Sequence, residues 1–255
     1  MYTRTFFRAH GLGNDYLVWE GDPAEVDDHW VRRVCDRHTG VGSDGVLVPV
    51  EPAPGAEAGV RIFNPDGSEA EKSGNGVRIF ALWFARQDGL MAFTVSTPGG
   101  FVRVSIHDRS GADQVRAEMG VARLAAVEVI CDTPTHPVDI GNPHRVVLGI
   151  PDDWKTLGER IEGAVFGRTN VQFVQVLSRG RARARIWERG ACHTLASGSS
   201  ASAVARVVTA LGLCDSPLII EMEGGELLTE VDADGAVTID GTISAIGRIE
   251  LDPGW

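Results

Sequence analysis

Two short segments of the sequence combine a serine with residues that leave a helix start accessible. Ser73-Gly74-Asn75-Gly76 and Ser197-Gly198-Ser199-Ser200 each precede a run typical of a buried helix, and they lie 124 positions apart in a chain of 255 residues. The first turn of a helix has unpaired backbone N–H groups and about half a positive charge. Because glycine lets an anion approach that backbone closely, each segment is a candidate site for a carboxylate or a phosphate.

Two such helix starts acting on one carboxylate would also support chemistry at the neighbouring carbon. Their combined field would stabilise the negative charge that develops there when a proton is removed. Ser73 and Ser197 would then lie on opposite faces of this carbon, one for proton removal and the other for proton delivery. The alternative is that both serines only cap their helices, where serine is common, and local chemistry alone favours this alternative.

The elements around these segments predict an α/β (α+β) fold in which the second half of the chain repeats the first. We place the halves at residues 1–124 and 125–255, with the site in the cleft between them; a chance similarity of two helix starts is the alternative. The first half is predicted to have strands at Thr5–Arg8, Tyr16–Trp19, Val46–Val50 and Gly59–Phe63, and three more between Ala92 and Met119. Its helices are predicted at Asp28–His38 and in the core, where the apolar run Val77–Ala85 begins a helix that ends near Asp88-Gly89. The second half is predicted to have strands at Ala126–Ile130, Arg145–Leu148, Val171–Val176 and Ala184–Trp187, a helix at Ala201–Leu211, and four strands between Leu218 and Ile249.

Composition excludes several classes of partner. The net charge of −11 and the pI near 5.1 argue against binding to nucleic acid or to an anionic membrane. No apolar run approaches the ~18 residues of a membrane span, and the first residues lack the pattern of a signal peptide. Four scattered cysteines without a C-x-x-C pair indicate a reducing compartment, so we expect a cytoplasmic protein.

Other motifs for cofactors or hydrolysis are weak. Gly40–Gly45 fits G-x-G-x-x-G, but a predicted helix precedes it and a strand follows it, the reverse of a dinucleotide-binding loop. Neither serine segment fits the G-x-S-x-G pattern of a serine hydrolase. No metal-ligand spacing or pyridoxal signature is present, so we expect neither a cofactor nor a metal.

Several stretches together resemble the diaminopimelate epimerase family, whose members interconvert LL- and meso-diaminopimelate without a cofactor. The stretches are His10–Asp15, Arg37–Gly45, Arg61–Asn64, Asp66–Glu69, Gly74–Gly76, Gly141–His144, Asn170 and Glu188–Gly190. The resemblance implies two pseudo-symmetric halves, each a sheet-rich barrel around a central helix. Dimers are common in this family, and a homodimer is therefore an open expectation.

The resemblance also implies roles for particular residues. Gly74, Asn75, Gly198 and Ser199 would hold the reacting carboxylate, and Asn14, Asn64, Asn142, Asn170, Glu188 and Arg189 would hold the rest of the substrate. These residue types suit an amino acid with a second polar end, since an arginine pairs with a carboxylate and a glutamate accepts hydrogen bonds from an ammonium group. Diaminopimelate is therefore the first candidate substrate.

The chain departs from the family at the two acid–base positions. The family uses two cysteines, and this sequence has Ser73 and Ser197. A thiol titrates near ~8.5, whereas an alcohol is far less acidic. Lys72 and His193 are candidates to assist the serines. Three functions stay open: isomerisation at an amino-acid α-carbon, another proton shift such as moving a double bond in an amino-acid-derived acid, and amino-acid binding without catalysis.

Overall fold

The computed structural model describes residues 4–109, 112–252 and 254–255. The chain divides into two compact units. Unit 1 comprises the residues up to Ala117 together with those from Thr242 onward, and unit 2 comprises Glu118–Gly241. The predicted division after residue 124 places the whole C-terminal segment in the second half. In the structure the last strand instead lies in unit 1, because it pairs with the first strand of the chain.

Unit 1 is built mainly from strands that pack around one long helix. Ten of the fifteen residues of this helix, Gly74–Asp88, are buried, as expected for a helix in a core. The helices of unit 1 are α1 (Asp28–Cys35) and α2 (Gly74–Asp88). Its strands are β1 (Thr5–Gly11), β2 (Asn14–Trp19), β3 (Val46–Val50), β4 (Ala58–Phe63), β5 (Glu69–Ala70), β6 (Ala92–Thr97), β7 (Gly100–Arg109), the residues of β8 (Ala112–Val121) up to Ala117, and, at the C-terminus, β19 (Ser244–Glu250).

Unit 2 is also built mainly from strands, with two α-helices. Its helices are α3 (Trp154–Ala164) and α4 (Gly198–Ala210). Its strands are β9 (Arg123–Leu124), β10 (Glu128–Ile130), β11 (Thr133–Asp139), β12 (Pro143–Leu148), β13 (Asn170–Ser178), β14 (Arg181–Glu188), β15 (Cys192–Thr194), β16 (Leu218–Met222), β17 (Gly225–Val231) and β18 (Ala236–Thr242, of which Thr242 belongs to unit 1). The helix α4 packs against β11, β12, β13, β16 and β17.

The order of strand pairing is the same in both units. In unit 1 the pair β1–β2 is antiparallel, β2–β3 parallel, β3–β4 antiparallel, β4–β6 parallel and β6–β7 antiparallel. In unit 2 the series β11–β12, β12–β13, β13–β14, β14–β16 and β16–β17 alternates in the same way. The helices also occupy equivalent connections, since α1 and α3 follow the second strand of the series and α2 and α4 the fourth. The predicted repeat of one half by the other is therefore confirmed.

Local sequence accounts for the ends of the helices. The Asp27 carboxylate caps α1 by accepting a hydrogen bond from the backbone N–H of Trp30 at 2.7 Å, and this helix ends at Cys35, three residues before the predicted end. Gly89 ends α2 in the left-handed conformation, with φ of 77°, which glycine adopts without steric cost. The helix α3 was not predicted from the sequence.

Candidate active site

The first helix start comprises Ser73 to Gly76 at the beginning of α2. Ser73 has extended backbone angles, and its Oγ accepts a hydrogen bond from the backbone N–H of Gly76 at 3.1 Å. The phenol oxygen of Tyr16 lies 3.2 Å from the same Oγ. Ser73 is thus the helix cap that the simpler interpretation predicted. It is also a partly exposed hydroxyl with a titratable neighbour.

Two residues predicted to bind substrate contact one another at this helix start. The Asn75 side chain donates a hydrogen bond to Asn14 Oδ1 at 3.0 Å, and the Asn14 side chain donates to Asp44 at 3.1 Å. Both asparagines are more than nine-tenths buried. Since each amide is held by a neighbour, the orientation of both side chains is fixed.

A buried arginine adds positive charge one turn into α2. The guanidinium of Arg78 is fully buried, and it donates to Asn75 Oδ1 at 2.6 Å and to the Gly74 carbonyl at 3.1 Å. This charge lies at the end of α2 where the helix dipole is already positive. The first helix start therefore favours an anion more strongly than its backbone alone would.

The loop before β3 holds Asp44 in place. Arg37 donates to Asp15 at 2.9 Å and to Asp44 at 2.7 Å, and the hydrogen bond to Asp15 is the main reason that the pKa of Arg37 is raised. Arg8 contacts the other oxygen of Asp15 through two of its nitrogens. The loop fits G-x-G-x-x-G, but here it supports Asn14 through Asp44.

Asn64 lies directly after β4, in a tight turn. Its backbone N–H donates to the Ser68 carbonyl at 2.8 Å, its side chain donates to Ser68 Oγ at 3.0 Å, and its own carbonyl accepts from Gly67 at 3.0 Å. Gly67 has a φ of +84°, and a Cβ atom there would lie 2.6 Å from the carbonyl oxygen of Asp28. The position therefore requires glycine, and the turn fixes the backbone of Asn64.

Lys72 precedes Ser73 and is 6% exposed. Burial lowers the pKa of its ammonium group from 10.5 to about 8, since loss of water disfavours the charged form. The lysine predicted to assist Ser73 is thus a buried amine whose pKa lies well below its ordinary value.

The second helix start comprises Ser197 to Ser200 at the beginning of α4. Ser197 Oγ accepts a hydrogen bond from the backbone N–H of Ser200 at 3.4 Å and lies 3.4 Å from Ser199 Oγ. Ser197 is 5% exposed and Ser199 is 3% exposed. Ser202, one turn into the helix, donates to the Gly198 carbonyl at 2.8 Å.

A chain of buried polar side chains leads from Asn142 to this helix start. His144 Nε2 lies 2.9 Å from Asn142 Oδ1, and His144 Nδ1 lies 3.0 Å from Gln172 Nε2, which also donates to Ser200 Oγ at 3.0 Å. Burial, and to a lesser extent the charge of Arg189, lower the pKa of His144 to about 3. The imidazole is therefore neutral at pH 7, and we assign its proton to Nε2, which donates to Asn142.

The remaining residues predicted to bind substrate lie at the ends of β13 and β14. Asn170 is 5% exposed; its side chain donates to the Pro143 carbonyl at 3.0 Å and accepts from the backbone N–H of Arg189 at 3.0 Å. Glu188 and Arg189 are partly exposed at the end of β14. Asn170 thus fixes the backbone of Arg189.

His193 contacts the side chains of Glu223 and Trp154. Its Nε2 lies 2.5 Å from a Glu223 carboxylate oxygen, and its ring packs edge-on against Trp154. These contacts favour a structural role, and the predicted assistance to Ser197 stays a prediction. Its neighbour Cys192 is exposed and has a φ of +60°.

The pairing registers show which site residues are equivalent in the two units. Val46 pairs with Leu17 and Phe63 in unit 1, and Val171 pairs with Arg145 and Trp187 in unit 2. Ser73 lies ten residues after Phe63, and Ser197 lies ten residues after Trp187. Counting along the strands and helices from these anchors gives the equivalent pairs Asn14 and Asn142, Tyr16 and His144, Asn64 and Glu188, Ser73 and Ser197, Gly74 and Gly198, and Asn75 and Ser199.

This equivalence means that each unit places polar groups at the same positions of its framework, although some of the side chains differ. In each unit a capping hydroxyl, a glycine and a short polar side chain form the helix start. A polar side chain at the end of the fourth strand and an asparagine at the start of the second strand accompany them. Tyr16, Asp44, Arg78, Gln172 and His144 were not predicted as site residues. Among the described residues, no group of three or more His, Cys, Asp and Glu side chains is placed to hold a metal ion.

Comparisons with known proteins show which family the chain is similar to. The family model described as diaminopimelate epimerase matches residues 6–125 and 137–245. The "Diaminopimelate epimerase 2" of Nostoc sp. is 38% identical over 96% of this chain and 95% of its own length. The diaminopimelate epimerase of Desulforudis audaxviator is 39% identical over 88% of this chain and 90% of its own length.

Solved structures share the fold at low sequence identity. A probable proline racemase from Agrobacterium radiobacter has a TM-score of 0.78 at 16% identity, covering 98% of this chain and 93% of its own. A hydroxyproline epimerase from Agrobacterium vitis has a TM-score of 0.75 at 16% identity, covering 99% and 94% of the two chains. The predicted fold class is confirmed.

No helix in the described part of the chain is long and apolar enough to cross a membrane.

Proposed function

The chain belongs to the diaminopimelate epimerase family and is an isomerase, and from this membership we propose that it moves a proton at the carbon next to the carboxylate of an amino acid. Diaminopimelate is the first candidate substrate, and no cofactor is required. The observation that supports this proposal best is the equivalence of Ser73 and Ser197. Both cap a buried helix at the same point of the same strand framework.

In the proposed mechanism both helix starts bind the reacting carboxylate. Backbone N–H groups near Gly74 and Gly198 donate to its oxygens, and the two helix dipoles together with the Arg78 guanidinium favour its charge. When the α-proton leaves, charge moves onto these oxygens, and the same donors stabilise the resulting enediolate. The main barrier to breaking this C–H bond is thereby lowered without a metal or a cofactor.

The rest of the substrate lies against the polar side chains at the strand ends. Arg189 would pair with a distal carboxylate and Glu188 with a distal ammonium group. Asn14, Asn64, Asn142 and Asn170 supply amide donors and acceptors that neighbouring groups already orient. This set supports an amino acid with a second amino-carboxylate end over a simple amino acid.

The proton itself would move through hydroxyl groups. Ser73 and Ser197 would contact the two faces of the α-carbon, and inversion would follow when one face loses a proton and the other gains one. Because an unassisted alcohol is a poor base near neutral pH, the rate depends on the groups next to each serine. Lys72 stays a proposed helper at the first helix start.

Solvent isotope exchange tests the function directly. The purified protein is incubated with LL- or meso-diaminopimelate in D2O, and the α-proton signal is followed by NMR while a chiral assay reports inversion. Loss of the α-proton together with inversion is the expected result. Exchange without inversion would support another proton shift at this carbon. Binding without exchange for any amino acid would overturn the proposal in favour of an amino-acid-binding protein.

Serine variants connect this activity to the two helix starts. Ser73→Ala and Ser197→Ala are each expected to slow exchange by at least about 100-fold, the usual contribution of a general acid or base. Ser178→Ala is the matched control, because Ser178 is exposed at the end of β13. If Ser73→Cys with Ser197→Cys produces diaminopimelate epimerase activity that the original protein lacks, then diaminopimelate is not its substrate.

We also propose a cytoplasmic location, which four free cysteines support, one of them exposed. An amino-acid substrate is the only partner that the proposal requires, and the homodimer stays a prediction.

A further inference from the structure

The two helix starts differ in the groups that touch their capping serines. Ser73 Oγ lies 3.2 Å from the phenol oxygen of Tyr16, which is 6% exposed. Ser197 Oγ instead lies near the backbone N–H of Ser200 and the hydroxyl of Ser199. A titratable side chain therefore contacts the capping serine in unit 1, whereas these two partners in unit 2 do not titrate in the accessible pH range.

A phenol supplies what a serine hydroxyl lacks. The phenol of tyrosine titrates near ~10, whereas an isolated alcohol is a much weaker acid, so a phenolate forms at a pH where an alkoxide does not. The positive end of α2 and the buried guanidinium of Arg78 lie at the same helix start. Both favour a negative charge there, which offsets part of the cost of burying a phenolate.

We propose that Tyr16 is the proton acceptor that makes Ser73 a base. This inference rests on the proposed function. The Tyr16 phenolate accepts the hydroxyl proton of Ser73 while Ser73 Oγ takes the α-proton, and the electron pair of the C–H bond stays on the substrate as the enediolate. Tyr16 ends as a neutral phenol and Ser73 as a neutral hydroxyl. The Ser197 hydroxyl gives its proton to the opposite face of the carbon; solvent then returns a proton to Ser197 and takes one from Tyr16.

The variant Tyr16→Phe removes the phenol oxygen and keeps the ring that packs in β2. We expect the α-proton exchange rate to fall by at least about 100-fold with KM changed less than about two-fold. The rate of the original protein is expected to rise with pH as the phenol ionises, and this rise is expected to be absent in the variant. Tyr2→Phe is the control, because Tyr2 and Tyr16 are the only tyrosines in the sequence. A Tyr16→Phe protein with an unchanged rate and pH profile overturns the proposal.

A measurement without substrate separates this proposal from the proposed function. In Tyr2→Phe protein the phenolate absorbance near ~295 nm reports Tyr16 alone, because indole side chains do not titrate in this range. We expect a midpoint at or below about 10, and a higher midpoint when Ser73→Ala is added, since the Ser73 hydroxyl donates to the phenolate. A midpoint that Ser73→Ala leaves unchanged overturns the pairing, whether or not the protein turns over diaminopimelate. If the pairing holds and exchange is absent, the proposed function fails, and with it the catalytic role of Tyr16, while the hydrogen bond between Tyr16 and Ser73 stands.

Biosynthetic fluorotyrosine covers the case in which Tyr16→Phe does not fold. Fluorine lowers the pKa of a phenol without removing its oxygen. In Tyr2→Phe protein, the rise of the exchange rate is expected to move to lower pH together with the absorbance midpoint. A rise that stays in place while the midpoint moves overturns the role of Tyr16.

Discussion

Replacing Lys72 by methionine is expected to stabilise the protein at neutral pH and to lose this effect at high pH. Lys72 is 6% exposed, and burial lowers its pKa from 10.5 to about 8. Since one pKa unit corresponds to about 1.4 kcal/mol, keeping this ammonium group charged costs about 3 kcal/mol of folding free energy at pH 7. Methionine keeps an unbranched apolar chain of similar length and removes the charge.

The direction of the pH dependence follows from proton binding. Between pH 8 and 10.5 the unfolded chain holds the Lys72 proton more often than the folded protein does, so this group makes the original protein more stable as the pH rises through this window. The advantage of Lys72→Met is therefore expected to be largest below pH 8 and to vanish near pH 10.5. Urea unfolding followed by tryptophan fluorescence at several pH values measures it.

The chain offers a matched control, because Lys72 and Lys155 are its only lysines. Lys155 is exposed in α3, and Lys155→Met is expected to change stability by less than about 0.5 kcal/mol at every pH. Lysine labelled with 13C gives only two Cε signals in an NMR titration, so the pKa of Lys72 can be read directly. If both signals titrate together above pH 10, the reasoning from burial is refuted.

Three further predictions concern His144, Gly67 and Cys192. The free energy of unfolding is expected to fall by about 3 kcal/mol between pH 6.5 and 4 because of His144, whose folded pKa of about 3 lies below its ordinary 6.5. The variant His144→Gln is expected to flatten this pH dependence. The control variant His29→Gln, at an exposed position, is expected to leave it unchanged. Gly67→Ala is expected to lower the free energy of unfolding, measured with urea, by at least about 2 kcal/mol more than Gly55→Ala does. Both glycines have a positive φ, but only at Gly67 would the added Cβ atom clash with a carbonyl oxygen of α1. Cys192→Gly is expected to raise stability by about 1 kcal/mol, because Cys192 has a φ of +60°; an unchanged urea midpoint would count against strain there.

Elements with strong local signals were predicted well. The apolar run after Ser73 and the glycine at position 89 define both ends of α2. The strand predicted at Ala184–Trp187 is part of β14, where arginine and alanine alternate from Arg181, with Ala182 and Ala184 buried and Arg183 paired with Glu221. These signals are local, since they depend on periodicity and on the conformational freedom of glycine.

Two of the unpredicted elements, α3 and β11, were missed for different reasons; the short strands β5, β9 and β15 were also not predicted. The helix α3 has apolar residues at Trp154, Leu157 and Ile161, the spacing of an amphipathic helix, so a usable signal was present. The strand β11 contains Pro134 and Pro137, which normally argue against a strand. It forms because it pairs with β10 along one part and with β12 along another, a choice that only tertiary structure determines.

The residues of the candidate site were easier to predict from the sequence than the contacts between their side chains. The helix starts are visible in the sequence, and the resemblance supplied the asparagines. The contact between Tyr16 and Ser73 joins residues 57 positions apart, and that between Gln172 and Ser200 joins residues 28 apart. Which side chain reaches which serine depends on the register of the strands beneath the helix. A single sequence does not specify this register.

The two units share one strand framework but differ in the side chains near their capping serines, and each of these facts has its own consequence for the chemistry. Equal strand frameworks place a serine at the start of each helix, which suits a reaction that needs a group on each face of one carbon. The equivalent second-strand positions hold Tyr16 in unit 1 and His144 in unit 2. Tyr16 touches its serine, whereas His144 is buried, neutral and bound to Asn142 and Gln172. A base that needs a titratable partner is therefore better supported in unit 1, and a proton donor that must stay neutral is better supported in unit 2. It follows that removing the phenol should impair proton abstraction from one configuration of the substrate more than from the other.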